Sequence, residues 1–109
     1  MRMIRIVEYL DQRGASPFER WFSKIDARAA SKVTIALTRM GQGNFSNVKT
    51  VGSGVLEYRI DYGPGYRVYF GRDGESLVIL LIGGTKTRQQ NDIEAAHAFW
   101  QDYKSRKGS

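Results

Sequence analysis

The fold is decided between residues 55 and 82, which read VLEYRIDYGPGYRVYFGRDGESLVILLI. On both sides of Gly63-Pro64-Gly65, apolar and polar residues alternate as they do in half-buried β-strands. Asp73-Gly74 is a strong hairpin-turn sequence. The continuous apolar run from Leu77 to Ile82 predicts a central strand that is covered on both faces. The stretch therefore predicts consecutive antiparallel strands joined by tight turns.

The hairpin from Val55 to Arg72 restricts its own register. One strand carries the apolar triad Leu56, Tyr58 and Ile60, and the other carries Tyr66, Val68 and Phe70. Both triads must share one face if both contact a core, because a shift of one residue turns every side chain over. Two registers satisfy this condition: Arg59 lies opposite Arg67 in one and opposite Tyr69 in the other. In both, the second face carries the polar set Glu57, Arg59, Asp61, Arg67 and Tyr69. We expect this face to meet solvent, so that replacing Arg67 would change stability little.

Helical patterns flank the strands. Ser16-Pro17-Phe18-Glu19 predicts a capped helix start, and Asp26 is the expected N-cap of a second helix that ends at Gly41. Thr87 with Gln90 repeats the capping-box pattern before a last helix, which we expect to run to about residue 104.

The predicted order is strand, two helices, three or four strands and a helix, which is typical of the α+β class. We expect a compact antiparallel sheet of four to five strands with an N-terminal helical hairpin and a C-terminal helix. Residues 1–104 would form a single domain, followed by a polar tail over residues 105–109. The first strand, between Met3 and Leu10, must join the sheet across the helical hairpin.

The composition excludes several classes of function. The 109 residues contain no cysteine and one histidine, which excludes a disulfide framework, a thiolate metal site and a cysteine nucleophile. Lys and Arg number 17 against 11 Asp and Glu, a net charge of +6 that favours a polyanionic partner. The apolar run from Leu77 to Ile82 is far shorter than the roughly 18 residues of a membrane span. We expect a cytoplasmic protein without a membrane partner.

Basic residues gather in two places. Arg59 and Arg67 carry guanidinium groups that match phosphate oxygens, and like charges placed opposite each other need an anion or Glu57 as compensation. The alternative interpretation is a plain set of cross-strand salt bridges. Lys86 and Arg88 precede the last helix, whose N-terminus attracts anions. Lys49, in the loop before the hairpin, is a weaker candidate of the same kind.

From Asn44 to Lys49, and again from Leu56 to Phe70, the sequence resembles the RelE/ParE superfamily of toxins. It is most similar to the HigB-like, phage-derived "addiction module killer protein" branch, and the segment GYRVYF at residues 65–70 is the sharpest marker. The resemblance implies a compact antiparallel sheet flanked by a helical hairpin. It also implies the toxin of a two-gene module, neutralised by an antitoxin that is typically a helix-turn-helix protein.

In the RelE and HigB branches the toxin cuts mRNA in the ribosomal A site, and the substrate's own 2′-OH attacks the phosphodiester. The resemblance therefore implies mRNA and the ribosome as partners, and neither a metal nor another cofactor. Carried over to this chain, it implies that Arg67 contacts the scissile phosphate and that Arg59 and Lys86 help to neutralise it. Lys49 and Arg88 are candidates for binding the nucleic acid.

The general base is the open part of this mechanism. RelE-type enzymes use a tyrosine that the segment from Lys86 to Asp92 lacks, so the candidates here are Glu57, Asp61 and Tyr69. Two alternatives stay open: a non-enzymatic, ParE-like poison of DNA gyrase, and a basic module whose main role is to bind the antitoxin.

Overall fold

The structure is a computed structural model that describes residues 3–108. The elements, in chain order, are β1 (Arg5–Glu8), α1 (Pro17–Phe22), α2 (Ala27–Gly41), β2 (Val48–Thr50), β3 (Leu56–Ile60), β4 (Tyr66–Arg72), β5 (Leu77–Thr85) and α3 (Gln89–Lys107). A short 3₁₀ turn, Lys86–Arg88, joins β5 to α3. None of these helices is long and apolar enough to cross a membrane.

The five strands form one mixed sheet in the order β1-β5-β4-β3-β2. The α+β class is confirmed, but a purely antiparallel sheet is wrong, because β1 runs parallel to β5. Parallel neighbours need a long crossover connection. Here helices α1 and α2 and strands β2, β3 and β4 separate β1 from β5 along the chain. All other neighbours in the sheet are antiparallel.

The register between β3 and β4 places Arg59 directly opposite Arg67, which is the first of the two predicted registers. The pairing of β4 with β5 shifts between Tyr69 and Phe70, which face Ile82 and Leu80. Such a bulge bends the strand and increases its twist.

Both faces of the sheet are covered. Helices α1 and α2 bury one face, whose core includes Val33, Met40, Val68, Phe70 and Leu80. Helix α3 covers the other face, whose core includes Tyr69, Ile79, Leu81, Ala96 and Trp100. The prediction of a central strand buried on both faces is confirmed for β5. The expectation that the second face of the hairpin meets solvent is wrong for Glu57, Arg67 and Tyr69, which are buried, whereas Arg59 and Asp61 are exposed.

Local capping follows the sequence at two of three helix starts. The Ser16 Oγ accepts a hydrogen bond from the Glu19 N–H at 3.0 Å, and Asp26 Oδ1 accepts one from the Ala29 N–H at 2.9 Å. Both predicted caps are confirmed.

The third predicted cap is wrong. Thr87 lies inside the 3₁₀ turn, and α3 begins at Gln89 without a side-chain cap in the described structure. The helix ends at Lys107, beyond the predicted end at residue 104.

A hairpin between the first two helices stays a prediction, since α1 packs mainly on β5 and α2 on β3 and β1.

Glycines make close packing possible on both faces of the sheet. Gly83 and Gly84 follow the apolar run that ends at Ile82, and they lie inside β5. A Cβ atom at Gly83 would overlap the ring of Trp21, and one at Gly84 would overlap the carboxylate of Asp92. Only glycine fits at these two positions, because neighbouring side chains occupy the space that a Cβ atom would need.

Candidate functional site

An open cleft of about 690 Å³ lies beside the end of the sheet where β3 and β4 are joined. Four cationic side chains line it: Lys49, Arg59, Arg67 and Lys86. Asp61 is the one carboxylate among the described residues of its wall. The formal charge of these side chains is therefore +3. Such a concentration of positive charge is suited to a phosphate-bearing ligand.

Strand pairing accounts for the position of each cation. Lys49 on β2 faces Glu57 on β3, and Arg59 on β3 faces Arg67 on β4. Residues directly opposite each other project from the same face, so both rows point to the same side of the sheet. Lys86 is held nearby because its N–H donates to the Gly65 carbonyl at 2.8 Å. Elements far apart in the chain thus bring their charges to one cleft.

Arg67 and Glu57 form the buried back of this site. The side chain of Arg67 is only 5% exposed and that of Glu57 is fully buried. Glu57 Oε1 lies 3.8 Å from Arg67 Nε and 4.0 Å from Arg59 Nε, while Oε2 accepts a hydrogen bond from Gln89 Nε2 at 2.7 Å. Glu57 therefore supplies the negative charge that two facing arginines require.

The burial of Arg67 corrects the expectation that it lies on a solvent-facing surface. Helix α3 begins beside this part of the sheet, since its first residue, Gln89, bonds Glu57. Removing one partner of a buried ion pair is strongly destabilising, because the other charge is left uncompensated. A substitution at Arg67 must therefore be examined for its effect on stability as well as on activity.

Tyr69 is also fully buried, so its hydroxyl does not reach the cleft. Burial raises the pKa of this phenol, and the neighbouring Glu57 carboxylate raises it further. The hydroxyl makes no well-formed hydrogen bond to any described residue. A phenol in this environment stays protonated at neutral pH. The structure thus places Glu57 and Tyr69, two of the three candidate bases, behind the cleft wall.

Asp61, the remaining candidate base, is exposed and lines the cleft. No tyrosine or histidine among residues 3–108 lines it. His97 lies elsewhere, where its Nε2 is 2.9 Å from the Val51 carbonyl and its ring approaches Gly52. The cleft therefore combines four cationic side chains, suited to neutralising an anion, with one carboxylate, Asp61.

Arg88 is not part of the cleft. It lines a separate groove of about 520 Å³ whose apolar wall includes Trp21, Ile82 and Phe99. Asp92, in the same groove, is 8% exposed, and burial raises the pKa of its carboxyl. Lys86 and Arg88 are close in sequence but face different sites.

Sequence reasoning missed Gln89, the residue that binds Glu57. Two signals were available in the sequence. One is a carboxylate in the middle of a strand, and the other is a last helix whose broad apolar side must pack on another surface. Together they indicate that α3 packs on the polar face of the hairpin and must provide a donor for Glu57.

Fold and cleft together define a small, basic α+β protein with a cleft lined by cationic side chains. Residues 20–99 match the sequence model of a family described as phage-derived protein Gp49-like. The chain belongs to this family, which is of the RelE/HigB-type toxin kind. The matched range contains every residue that lines the cleft.

A relative in Haemophilus influenzae is 43% identical over 86 residues, which cover 78% of this chain and 87% of that protein. Its printed description is "Uncharacterized protein". This description adds no activity.

Proposed function

We propose that this protein is the toxin of a type II toxin–antitoxin module, and that it inhibits translation by cutting mRNA on the ribosome. The observation that carries the proposal is the convergence of Lys49, Arg59, Arg67 and Lys86 on one cleft. Membership in a family of the RelE/HigB-type toxin kind supports it. Assignment to the HigB-like branch is part of the proposal.

The proposed chemistry is an internal transfer within the RNA. The 2′-oxygen loses its proton and attacks the adjacent phosphorus, the bond to the 5′-oxygen breaks, and that oxygen takes up a proton. The products are a 2′,3′-cyclic phosphate and a free 5′-hydroxyl. Because extra negative charge builds up on the phosphorane, fixed cations are the main source of rate acceleration.

The side chains divide these roles according to their exposure. Arg67, with only 5% of its side chain exposed, would provide a preorganised donor, whereas Arg59, with 54% of its side chain exposed, can follow the substrate. Asp61 is the carboxylate that can reach the 2′-OH, and the Lys86 ammonium or a water molecule can protonate the leaving oxygen. In this proposal Glu57 and Tyr69 transfer no proton, because both are buried behind the wall.

The proposed partners are mRNA, the ribosome and a cognate antitoxin of the helix-turn-helix type, all in the cytoplasm. Expression of the protein alone should arrest growth, and co-expression of the antitoxin encoded next to it should restore growth. Cellular mRNA should acquire new 5′ ends inside translated regions. Normal growth at a high soluble level of the unmodified protein would contradict a toxin role.

A second candidate function is a non-enzymatic, ParE-like poison of DNA gyrase. The observation that favours it is the wall of the cleft, which lacks both tyrosine and histidine among the described residues. Inhibition of supercoiling by purified protein, without mRNA cleavage, would support this candidate. A protein that binds its antitoxin but affects neither target would be a basic antitoxin-binding module.

A further inference from the structure

We propose that Glu57 and Gln89 form a positioning pair that fixes the guanidinium of Arg67 at the back of the cleft. This inference rests on the proposed function, because the phosphate that Arg67 would meet is that of RNA. It assigns Gln89 a role, and it makes Glu57 a positioning residue instead of a base.

The two oxygens of Glu57 have different partners. Oε2 accepts the hydrogen bond from Gln89, the first residue of α3, and Oε1 faces the Nε atoms of Arg67 and Arg59. A general base must come within hydrogen-bond reach of the proton that it removes. Glu57 has no exposed surface and does not line the cleft, so it meets the arginines and not the substrate.

Arg67 is confined on several sides. Its Nη1 donates to the Tyr66 carbonyl at 3.2 Å. Its buried Nε has no hydrogen-bond partner among the described residues and lies 3.8 Å from Glu57 Oε1, within ion-pair distance. A Cβ atom at Gly65 would lie 3.4 Å from Nη1, at van der Waals contact, so the turn runs close beside the guanidinium. The Nη groups are thus held at the cleft wall, where a guanidinium can grip a phosphate in bidentate fashion.

A fixed guanidinium plane contributes to catalysis because a preorganised donor needs no rearrangement during the reaction. Without the charge of Glu57, Arg67 would still be cationic but would sample other orientations. Glu57 also lowers the positive potential of the cleft. Its removal should therefore slow the chemical step while RNA binding is kept or becomes tighter.

The test compares three variants of the full chain with the wild type. Glu57→Gln keeps the size of the side chain and removes its charge. Gln89→Ala keeps both charges and removes the hydrogen bond. Gln90→Ala is the matched control, because Gln90 is an exposed neighbour that bonds only Glu94 among the described contacts.

Two readouts are needed: the rate of mRNA cleavage on ribosomes as a function of RNA concentration and pH, and the Nε–H NMR signal of Arg67. We expect about a 10-fold lower kcat for Glu57→Gln and about a 3-fold lower kcat for Gln89→Ala. KM should not rise, and the shape of the pH profile should be kept. The Arg67 Nε–H signal should be protected from solvent exchange in the wild type and lose that protection in Glu57→Gln. Gln90→Ala should match the wild type.

The outcomes separate the possible roles. If Glu57→Gln removes the acidic limb of the pH profile, Glu57 is the base and the positioning role is wrong. An unchanged kcat and an unchanged Arg67 signal in both test variants would also overturn it. If Glu57→Gln does not fold, Gln89→Ala decides the question. If the wild type cuts no mRNA, the proposed function fails, while the Arg67 signal still tests whether Glu57 holds the guanidinium.

Discussion

Arg67→Ala should lower the free energy of unfolding by about 3 kcal/mol, because it leaves the buried Glu57 carboxylate without its nearest countercharge. Two unit charges about 4 Å apart attract each other by roughly 4 kcal/mol at an effective dielectric constant of about 20. Arg59 lies 4.0 Å from the same oxygen, but its half-exposed side chain is screened by solvent and compensates only in part. For a domain of this size the loss corresponds to a decrease in Tm of about 12 °C.

The assay is urea unfolding followed by tryptophan fluorescence. Trp100 and Trp21 pack against opposite faces of the sheet, so the two fluorophores report on both cores. The double variant Arg67→Ala/Glu57→Gln should lose at least about 1 kcal/mol less than the sum of the single variants, since it leaves no uncompensated carboxylate. Arg28→Ala, at an exposed position, is the control and should stay within about 0.5 kcal/mol of the wild type. If Arg67→Ala is equally neutral and the double variant is additive, the buried pair contributes nothing and the reasoning is refuted.

Three further predictions concern the rest of the core. Burial and the Asp102 hydrogen bond raise the pKa of Tyr9 to about 12, so its contribution to stability is complete below pH 10 and is lost between pH 10 and 12. Urea midpoints of Tyr9→Phe should therefore fall less steeply over this interval than those of the wild type. Burial raises the pKa of Asp92, so its ionised form is unfavourable in the folded state. Asp92→Asn should raise the Tm at pH 7 and lose this advantage in acid, whereas a lower Tm at pH 7 would contradict the assignment. Gly71→Ala should lower the free energy of unfolding by about 1–3 kcal/mol, because the added Cβ would overlap the ring of Trp100, and a stability equal to that of the wild type would refute this.

Local features of the fold could be predicted from the sequence. The caps at Ser16 and Asp26 depend on residues three apart, so the pattern alone was sufficient. The β3–β4 hairpin could be limited to two registers because its apolar residues must share a face. The parallel pairing of β1 with β5 could not be predicted, because nothing near β1 specifies which sheet edge it joins.

Gly83 and Gly84 also show that the local sequence does not specify long-range contacts. A glycine pair ends a strand when it makes a turn, but here it continues the strand and leaves space for Trp21 and Asp92. Both neighbours come from distant parts of the chain, so the sequence around the glycines did not reveal them.

The candidate site was predictable in part for similar reasons. The alternation of apolar and polar residues in the hairpin predicts that Arg59 and Arg67 share a face, and the structure confirms this. The burial of Glu57 depends on which face of the sheet α3 covers, and tertiary packing decides this, not the local sequence. Lys86 and Arg88 separate because residues two apart in a 3₁₀ turn point in different directions.

The most direct test of the account is mRNA cleavage in a translation system assembled from purified ribosomes, read as new 5′ ends on a reporter message. Wild type, Arg67→Lys, Arg67→Ala and Arg28→Ala should be compared at matched concentrations of folded protein. The wild type should cut within the translated region, also in the presence of a chelator that leaves the ribosomes intact. Arg67→Ala should be about 10²- to 10³-fold slower, as for the loss of one oxyanion-hole donor. Arg67→Lys should recover part of the rate, since an ammonium lacks the bidentate fork. If the wild type arrests growth but makes no cuts, or if Arg67→Ala cuts as fast as the wild type, the cationic cleft is not the site of mRNA cleavage.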